Sequence, residues 1–138
     1  MSLLYSCAPV RISGANVETI YSNMVIGKET GDCSGYTIRV TRDLSGRVES
    51  FFIAHEGSCS IPGTKAEDMK YLPEENKLSF SVPFLSSVGR AFYRFQGRMT
   101  NSYLEGELRV EYPSDPKYNE KETIKLRKTK ESQFPPER

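Results

Sequence analysis

The sequence predicts an all-β protein in which about eight antiparallel strands follow one another in an up-and-down meander. Several segments alternate apolar and polar residues, short turn sequences rich in Gly, Pro, Asn and Ser separate them, and no segment has a helical period. A meander leaves two exposed edges unless it closes on itself or stacks as two sheets. We therefore predict an up-and-down barrel, with a two-sheet sandwich as the alternative.

The clearest hairpin covers residues 90–112, with a two-residue turn at 101–102. A turn of that length fixes the register, because a slip of one residue would exchange the two faces of both strands. Each inward residue then faces another inward residue: Tyr93 with Val110, Phe95 with Leu108, Gly97 with Gly106, and Met99 with Leu104. The two facing glycines predict a sharp bend or a bulky group that crosses the sheet.

Similar alternation defines the remaining strands. In chain order these are residues 17–26, 36–41, 48–54, 69–71, 77–84 and 123–128. The turn at 43–46 has the sequence of a three-residue hairpin loop with a bulge, and it pairs Ile38 with Phe52. The same register leaves Phe51 and Ile53 on the outer face, so either that face is covered or a second bulge intervenes.

A four-residue turn at 73–76 joins the next two strands. It pairs Tyr71 with Leu78 and Met69 with Phe80, again inward residue with inward residue. The hairpin therefore continues the same meander.

Composition sets limits on domain number and partners. The 138 residues suit one domain over 1–128, followed by a flexible charged tail over 129–138. Lys and Arg number 19 against 18 Asp and Glu, a net charge of +1, which argues against nucleic-acid binding. No apolar run reaches the roughly 18 residues of a transmembrane helix. The sequence predicts no oligomeric state.

The motif Phe95-x-Gly97-x-Met99, then after a short gap Leu104-x-Gly106-x-Leu108, follows a string of short hairpins. This pattern resembles the calycin-type barrels, which include lipocalins, fatty-acid-binding proteins and avidin relatives. The resemblance extends over residues 17–128. It implies a closed barrel with an interior ligand cavity. The chain has no Trp, so the Gly-x-Trp signature of lipocalins is missing and no site residue is taken from that family.

Cys33 and Cys59 form a candidate disulfide. The hairpin register places position 33 opposite position 57, close to Cys59. A bridge would stabilise the fold by about 3–4 kcal/mol in the chain-entropy model and would imply an oxidising compartment. The alternative is a pair of reduced loop cysteines. On this basis an extracytoplasmic location, periplasmic or secreted, is favoured over a cytoplasmic one.

The third cysteine, Cys7, follows Leu4-Tyr5-Ser6, which has the shape of a bacterial lipoprotein cleavage box. If the start were truncated, Cys7 would be the acylated residue. We favour the alternative of an ordinary flexible N-terminus, because no basic segment precedes the short apolar run.

No motif assigns catalysis, a metal or a cofactor. The single histidine, His55, lies beside Glu56 at the end of a strand and near the two cysteines, so a Cys–His nucleophile pair is conceivable. An exposed histidine at a strand end is the favoured interpretation. Metal-ligand spacings, phosphate loops and nucleophile elbows are absent from the sequence.

The inward residues are rich in aromatic side chains without charge, which favours a non-enzymatic protein that binds a small hydrophobic ligand in the barrel interior. The candidate ligand-binding residues are Tyr36, Phe52, Tyr71, Phe80, Tyr93, Phe95 and Tyr112. One alternative is a structural or interaction module with a filled core and an outer apolar patch of Phe51, Ile53 and Phe92. Another is a barrel enzyme that uses His55, Glu56 or Glu122 as acid or base at one mouth.

Overall fold

The computed structural model describes residues 17–59 and 63–130. Cys7, for which the sequence left acylation as the alternative to an ordinary flexible N-terminus, lies outside the described residues, as does the predicted tail from residue 131. The described part is all-β, with a single turn of 3-10 helix at Pro116–Tyr118. Its strands are β1 (Val17–Ser22), β2 (Val25–Ile26), β3 (Cys33–Arg42), β4 (Val48–Gly57), β5 (Thr64–Lys65), β6 (Glu67–Leu72), β7 (Lys77–Ser86), β8 (Gly89–Met99), β9 (Tyr103–Glu111) and β10 (Glu120–Thr129).

The strands form one antiparallel sheet in the order β5-β4-β3-β1-β10-β9-β8-β7-β6, and β2 also pairs with β3. From β3 to β5 and from β6 to β10, each strand pairs with the next strand in the chain, so the predicted antiparallel meander is confirmed. The ladder does not close into a ring of paired strands. Its two outermost strands, β5 and β6, are instead consecutive in the chain and are separated only by Ala66.

The pairing of β10 with β1 is short. Only residues 127–129 of β10 pair with residues 20–22 of β1. Residues 120–126 pair with β9 on one side and have no ladder partner on the other within the described chain. A seam therefore separates β2 from the first half of β10.

The β8–β9 hairpin has the predicted register, including Phe95 opposite Leu108 and Gly97 opposite Gly106. A Cβ atom on Gly106 would overlap the carbonyl oxygen of Gln96, and one on Gly97 would overlap the Phe95 ring. The bulky group that crosses the facing glycines is thus the Phe95 ring, packed back over its own strand.

The β3–β4 hairpin pairs residues 33–42 with residues 48–57 without any shift, and Ile38 faces Phe52 as predicted. Phe51 and Ile53 therefore lie on the outer face with no second bulge. Both are half-buried, because β5 pairs alongside this part of β4 and the Arg39 guanidinium lies 5.2 Å from the centre of the Phe51 ring. The outer face is covered, which was the first of the two alternatives.

The β6–β7 hairpin is partly as predicted. Tyr71 faces Leu78, but the pairing of Met69 with Phe80 is wrong because the register shifts between Glu67 and Lys70. Asp68 sits at this shift with a φ of 51°, a left-handed value that Asp tolerates better than most residues. Its carboxylate accepts a hydrogen bond from the Ser81 hydroxyl at 3.1 Å, which holds the bulge in place.

The apolar core lies between the inward faces of the strands. Its buried members are Tyr21, Ile38, Val40, Phe52, Ala66, Leu78, Phe80, Val82, Phe95, Leu104, Leu108, Ile124 and Leu126. Tyr36, Met69, Tyr71 and Tyr93 are partly buried and pack against this core. The alternation in the sequence therefore identified the core face of every long strand.

Candidate ligand-binding site

Six of the seven candidate residues belong to one continuous chain of aromatic rings. Phe95 contacts Phe80 with ring centres 5.5 Å apart, and Phe80 lies 6.2 Å from Phe52. Phe52 then contacts both Tyr36, at 5.9 Å, and Tyr93, at 4.9 Å. Aromatic pairs at these separations stabilise one another beyond the area they bury.

The chain of rings continues outward from Tyr93. Phe84 stacks on Tyr93 at 4.5 Å, and Tyr112 meets the edge of Phe84 at 6.2 Å. Tyr118, in the 3-10 helix, follows at 6.3 Å from Tyr112. Alternation had placed Phe84 on the inward face without making it a candidate. Nothing in the sequence pointed to Tyr118, because it lies in a loop where periodicity carries no information.

The burial of these rings decreases from Phe95 towards Tyr118. Phe52, Phe80 and Phe95 are at most 4% exposed, whereas the rings farther out are half-buried and Tyr118 is 50% exposed. The rings therefore rise from the core to one end of the molecule. We call this the aromatic end, and its members are Tyr36, Phe84, Tyr93, Tyr112 and Tyr118.

The seventh candidate, Tyr71, lies apart at the opposite end of the strands. The Arg42 guanidinium stands 5.1 Å from the centre of its ring and donates a 2.6 Å hydrogen bond to its hydroxyl. Burial, with the nearby Tyr71 as a second cause, raises the pKa of Tyr21 beside it. We call this the basic end, defined by Arg42 and Tyr71.

Three carboxylates occur at inward positions of the aromatic end. Glu56 continues the inward row of Phe52 and Ala54 on β4, while Glu120 and Glu122 continue the inward row of β10. The Tyr36 hydroxyl lies across the seam and donates to a Glu122 oxygen at 3.4 Å. We call Glu56, Glu120 and Glu122 the carboxylate rim.

No member of the carboxylate rim forms an ion pair with a described residue. The outer face of the neighbouring strand β9 differs, since each of its three glutamates meets a cation. These pairs are Glu105 with Lys125, Glu107 with Arg109 and Lys121, and Glu111 with Arg94. The rim therefore consists of exposed carboxylates that form no ion pair within the described chain.

The rim acts electrostatically on the tyrosine hydroxyls. Burial is the main cause that raises the pKa of Tyr93 to about 12, followed by the charges of Glu56, Tyr36 and Tyr112. Burial is also the main cause of the raised pKa of Tyr36, followed by the charge and hydrogen bond of Glu122. Both phenols are thus neutral hydrogen-bonding groups at physiological pH.

Ser50 supplies an unsatisfied polar group to the interior. It is completely buried at an inward position of β4, next to Phe52, and its hydroxyl has no hydrogen-bond partner among the described residues. A buried hydroxyl without a partner costs about 1–3 kcal/mol. A polar atom placed in the interior beside Ser50 would recover part of that cost.

His55 is not the exposed strand-end residue that was predicted. It is only 4% exposed, its Nε2 lies 2.7 Å from the Thr37 hydroxyl, and its Nδ1 lies 2.8 Å from the Ser58 carbonyl oxygen. Odd positions of β4 point outward, so His55 lies on the face opposite Glu56 and Glu122. The three proposed acid–base residues are not brought together.

Cys33 and Cys59 form a disulfide, with their Cα atoms 5.2 Å apart. The bridge lies at the aromatic end, where Cys33 pairs with Gly57 next to the pairing of Ser34 with Glu56. It leaves neither sulfur as a thiol for a Cys–His pair.

The proposed outer patch for a protein partner is also covered. Phe51, Ile53 and Phe92 are each half-buried. Two guanidinium groups, from Arg90 and Arg94, lie 5.4 Å and 4.8 Å from the centre of the Phe92 ring. The three residues do not form an exposed apolar surface.

Three surface grooves lie outside the aromatic end. One of about 1090 Å³ separates β1 from the β8–β9 turn, one of about 450 Å³ lies over Gly97, and one of about 250 Å³ lies beside Asp68 and Arg94. Within residues 17–59 and 63–130, no three His, Cys, Asp or Glu side chains are grouped to hold a metal ion. No helix of the described chain is long and apolar enough to cross a membrane.

In comparisons with known proteins, no protein-family model, curated protein or solved structure matches this chain. The antiparallel meander is established by the strand pairing alone. The resemblance to calycins stays a prediction.

Proposed function

We propose that this protein binds a small, mostly apolar ligand at the aromatic end of a calycin-like barrel. The observation that carries the proposal is the continuous path of rings from the buried Phe95 to the half-exposed Tyr112. Binding sites for small molecules are typically concave, lined by aromatic groups and supplied with a few polar atoms. The aromatic end supplies the aromatic groups and the polar atoms of such a site.

The path of the chain between β4 and β7 supports barrel closure. Residues 64–65 pair with β4, residues 67–72 pair with β7, and the amide of Ala66 donates a 2.8 Å hydrogen bond to the Ser50 carbonyl. One continuous segment therefore joins the two edges of the sheet. If β1 and β2 are counted as one strand, and β5 and β6 as another, the barrel has about eight strands. The interior of an eight-stranded barrel is either filled by side chains or holds one small ligand.

The position of the buried rings limits where a ligand would bind. Phe52, Phe80 and Phe95 fill the middle of the interior, so we place the ligand above them rather than throughout the barrel. Polar handles are available there, because the hydroxyls of Tyr93 and Tyr112 bond to no described residue. The disulfide supports the expected extracytoplasmic location.

The proposal is tested by fluorescence titration with N-phenyl-1-naphthylamine, a neutral probe that becomes bright in apolar surroundings. We expect saturable binding that weakens about tenfold in Phe84→Ala, because the variant loses the ring that joins Tyr93 to Tyr112. The matched control is Leu85→Ala, at the adjacent position, where the side chain is 85% exposed on the other face. Unsaturable fluorescence, or equal losses in the two variants, would contradict the proposal.

A further inference from the structure

We infer that the seam between β2 and β10 is a docking site for an extended segment of a partner protein that carries acidic residues. The segment would pair with β10 as an added antiparallel strand, and its carboxylates would meet the cations on the outer face of that strand. The inference concerns an edge of the sheet and not the interior, so it does not depend on the proposed function.

The first half of β10 presents an unpaired strand edge to the seam. Residues 120–126 pair with β9 and have no ladder partner on the other side within the described chain. The amide of Lys128 donates to the Ser102 carbonyl on the β9 side, so the even residues of β10 direct their backbone groups to β9 and the odd residues direct theirs to the seam. The odd residues of this half are Lys121, Thr123 and Lys125. Their N–H and C=O groups form the template that an added strand requires.

The walls of the seam leave an open groove and an exposed apolar residue. The groove of about 1090 Å³ is lined by Ile26 of β2 and by Arg127 of β10, so it lies where β10 separates from β1 and β2. Val25 of β2 is 62% exposed. Inside the seam, the Tyr36 hydroxyl donates to a Glu122 oxygen at 3.4 Å. An added strand would cover Val25 and lie over this hydrogen bond.

The outer face of β10 determines the charge of the partner. Its odd positions, which point outward, carry Lys121, Thr123, Lys125 and Arg127. The two lysines lie 3.8 and 4.0 Å from Glu107 and Glu105 of β9, and the arginine forms no ion pair with a described residue. An ammonium group donates several hydrogen bonds, so each lysine can meet a second carboxylate on its seam side. Acidic side chains opposite this row would stabilise the added strand.

The same charges disfavour a second copy of this chain as the occupant. If two β10 edges paired antiparallel about Thr123, Lys121 of each copy would face Lys125 of the other, and like charges directly opposite destabilise a strand pair. Lysines on an edge strand are one way in which proteins avoid such self-pairing. The ends of the chain are also less suitable: residues 1–16 contain no Asp or Glu, and residues 131–138 include two adjacent prolines, which have no N–H to donate. The edge therefore favours a separate acidic partner.

The test uses the end-blocked peptide Glu-Val-Glu-Val-Glu-Val-Glu and two relatives of it. One relative has lysine in place of every glutamate. The other is N-methylated at the glutamate amides, which keeps the charge but removes the donors that would face β10 in antiparallel pairing. In calorimetric titrations of the full chain, we expect the acidic peptide to bind at least about tenfold more tightly than either relative. Affinity equal to that of either relative, or no binding of the acidic peptide, would overturn the inference.

A pair of variants at Thr123 tests the edge itself. Thr123→Pro removes the central N–H of the edge without removing a hydrogen bond to β9, because this residue directs its backbone groups to the seam. Thr123→Val is the matched control, since it keeps the N–H and the shape of the side chain. We expect the proline variant to bind the acidic peptide about tenfold more weakly or worse, and the valine variant to bind it as the unaltered chain does. Equal binding by the two variants would contradict strand addition. Amide NMR spectra would verify the fold, and the methylated peptide tests the same pairing on the unaltered protein if the proline variant does not fold.

Hydrogen exchange of the full chain decides between the possible occupants. The amides of Lys121, Thr123 and Lys125 should exchange rapidly in the free protein and become protected when the acidic peptide is saturating. Protection in the free monomer would show that the chain covers its own edge. Protection that appears only as a dimer forms at high protein concentration, as measured by sedimentation, would assign the edge to a second copy. Either result would overturn the inference of an acidic partner.

Discussion

The two ends of the strands differ in the charged groups that lie beside their tyrosines. At the basic end, the guanidinium of Arg42 lies over the Tyr71 ring and donates a hydrogen bond to its hydroxyl. At the aromatic end, Tyr36 donates to the Glu122 carboxylate instead, and the hydroxyls of Tyr93 and Tyr112 bond to no described residue. The chain therefore satisfies the tyrosine of the basic end with its own cation and leaves polar groups of the aromatic end available to a ligand.

The connections at the two ends differ as well. The basic end is closed by the tight turns at 43–47, 73–76 and 100–102. The aromatic end has one tight turn at 87–88, but it also has the longer connections at 27–32 and 112–119, together with the disulfide. Binding residues are commonly found where loops of this kind extend from a rigid scaffold. The longer connections therefore favour the aromatic end as the place of recognition.

The largest effect is expected from removing the ring that separates the two ends. Phe52→Ala should lower the free energy of unfolding by about 3–5 kcal/mol, because the ring is 3% exposed and contacts three others. Urea denaturation would measure it, with Leu85→Ala as the control, which should change by less than about 0.5 kcal/mol. A loss below about 1 kcal/mol for Phe52→Ala would mean that the two ends share no packed core.

Removing the disulfide should have the next largest effect. Replacing Cys33 and Cys59 by Ala should cost about 3–4 kcal/mol, because the bridge closes a segment with a sequence separation of 26. Hydrogen exchange would locate the change: amides near Gly57 and Ser34 should lose protection, and those near Arg42 should not. Equal loss of protection at the basic end would contradict the separation of the two ends.

At the basic end, Arg42→Met should lower the free energy of unfolding by about 0.5–2 kcal/mol, since it removes a cation from an aromatic face while keeping an apolar chain of similar length. The same variant should leave ligand binding at the aromatic end unchanged. Urea denaturation and an N-phenyl-1-naphthylamine titration of one sample would measure both quantities. A change in the affinity for the probe would show that the basic end takes part in binding.

Alkaline pH should act most strongly on Tyr93, at the aromatic end. The pKa of Tyr93 is about 12 in the folded protein, above the ordinary value of 10.0, mainly because of burial. The folded state therefore holds this proton more tightly than the unfolded state. The resulting stabilisation is complete below pH 10 and is lost as the pH rises towards 12.

Tyrosinate absorbance measured against pH would test this order of ionisation. Tyr93 should ionise at high pH, so the Tyr93→Phe variant should lack that part of the absorbance titration. Its free energy of unfolding should also fall less steeply with pH between 10 and about 12. Glu56→Gln should move the transition only slightly, because its charge is a secondary cause. Ionisation of Tyr93 together with the exposed tyrosines would contradict its burial.

The sequence predicted the long hairpins well and the irregular parts poorly. Alternation with short turns determines register, so the pairing of Phe95 with Leu108 and of Ile38 with Phe52 followed directly. The bulge at Asp68 was missed because it depends on a hydrogen bond from Ser81, on another strand. His55 was misjudged for the same reason, since its burial depends on contacts with Thr37 and the loop at Ser58.

The candidate site was predicted only in part. Inward aromatic positions were readable from alternation, which identified six of the rings that the fold joins. The same pattern grouped Tyr71 with them, because alternation assigns a face and not an end of the strand. The carboxylate rim was not recognised as a unit, since Glu56 and Glu120 come together only when non-neighbouring strands fold around one interior.

The most direct test of the difference between the two ends is an amide and aromatic NMR titration of the protein with N-phenyl-1-naphthylamine. We expect concentration-dependent shifts at Tyr36, Phe84, Tyr93 and Tyr112, with none at Arg42 or Tyr71. Shifts centred on the basic end, or no shifts up to the solubility limit of the probe, would contradict binding at the aromatic end.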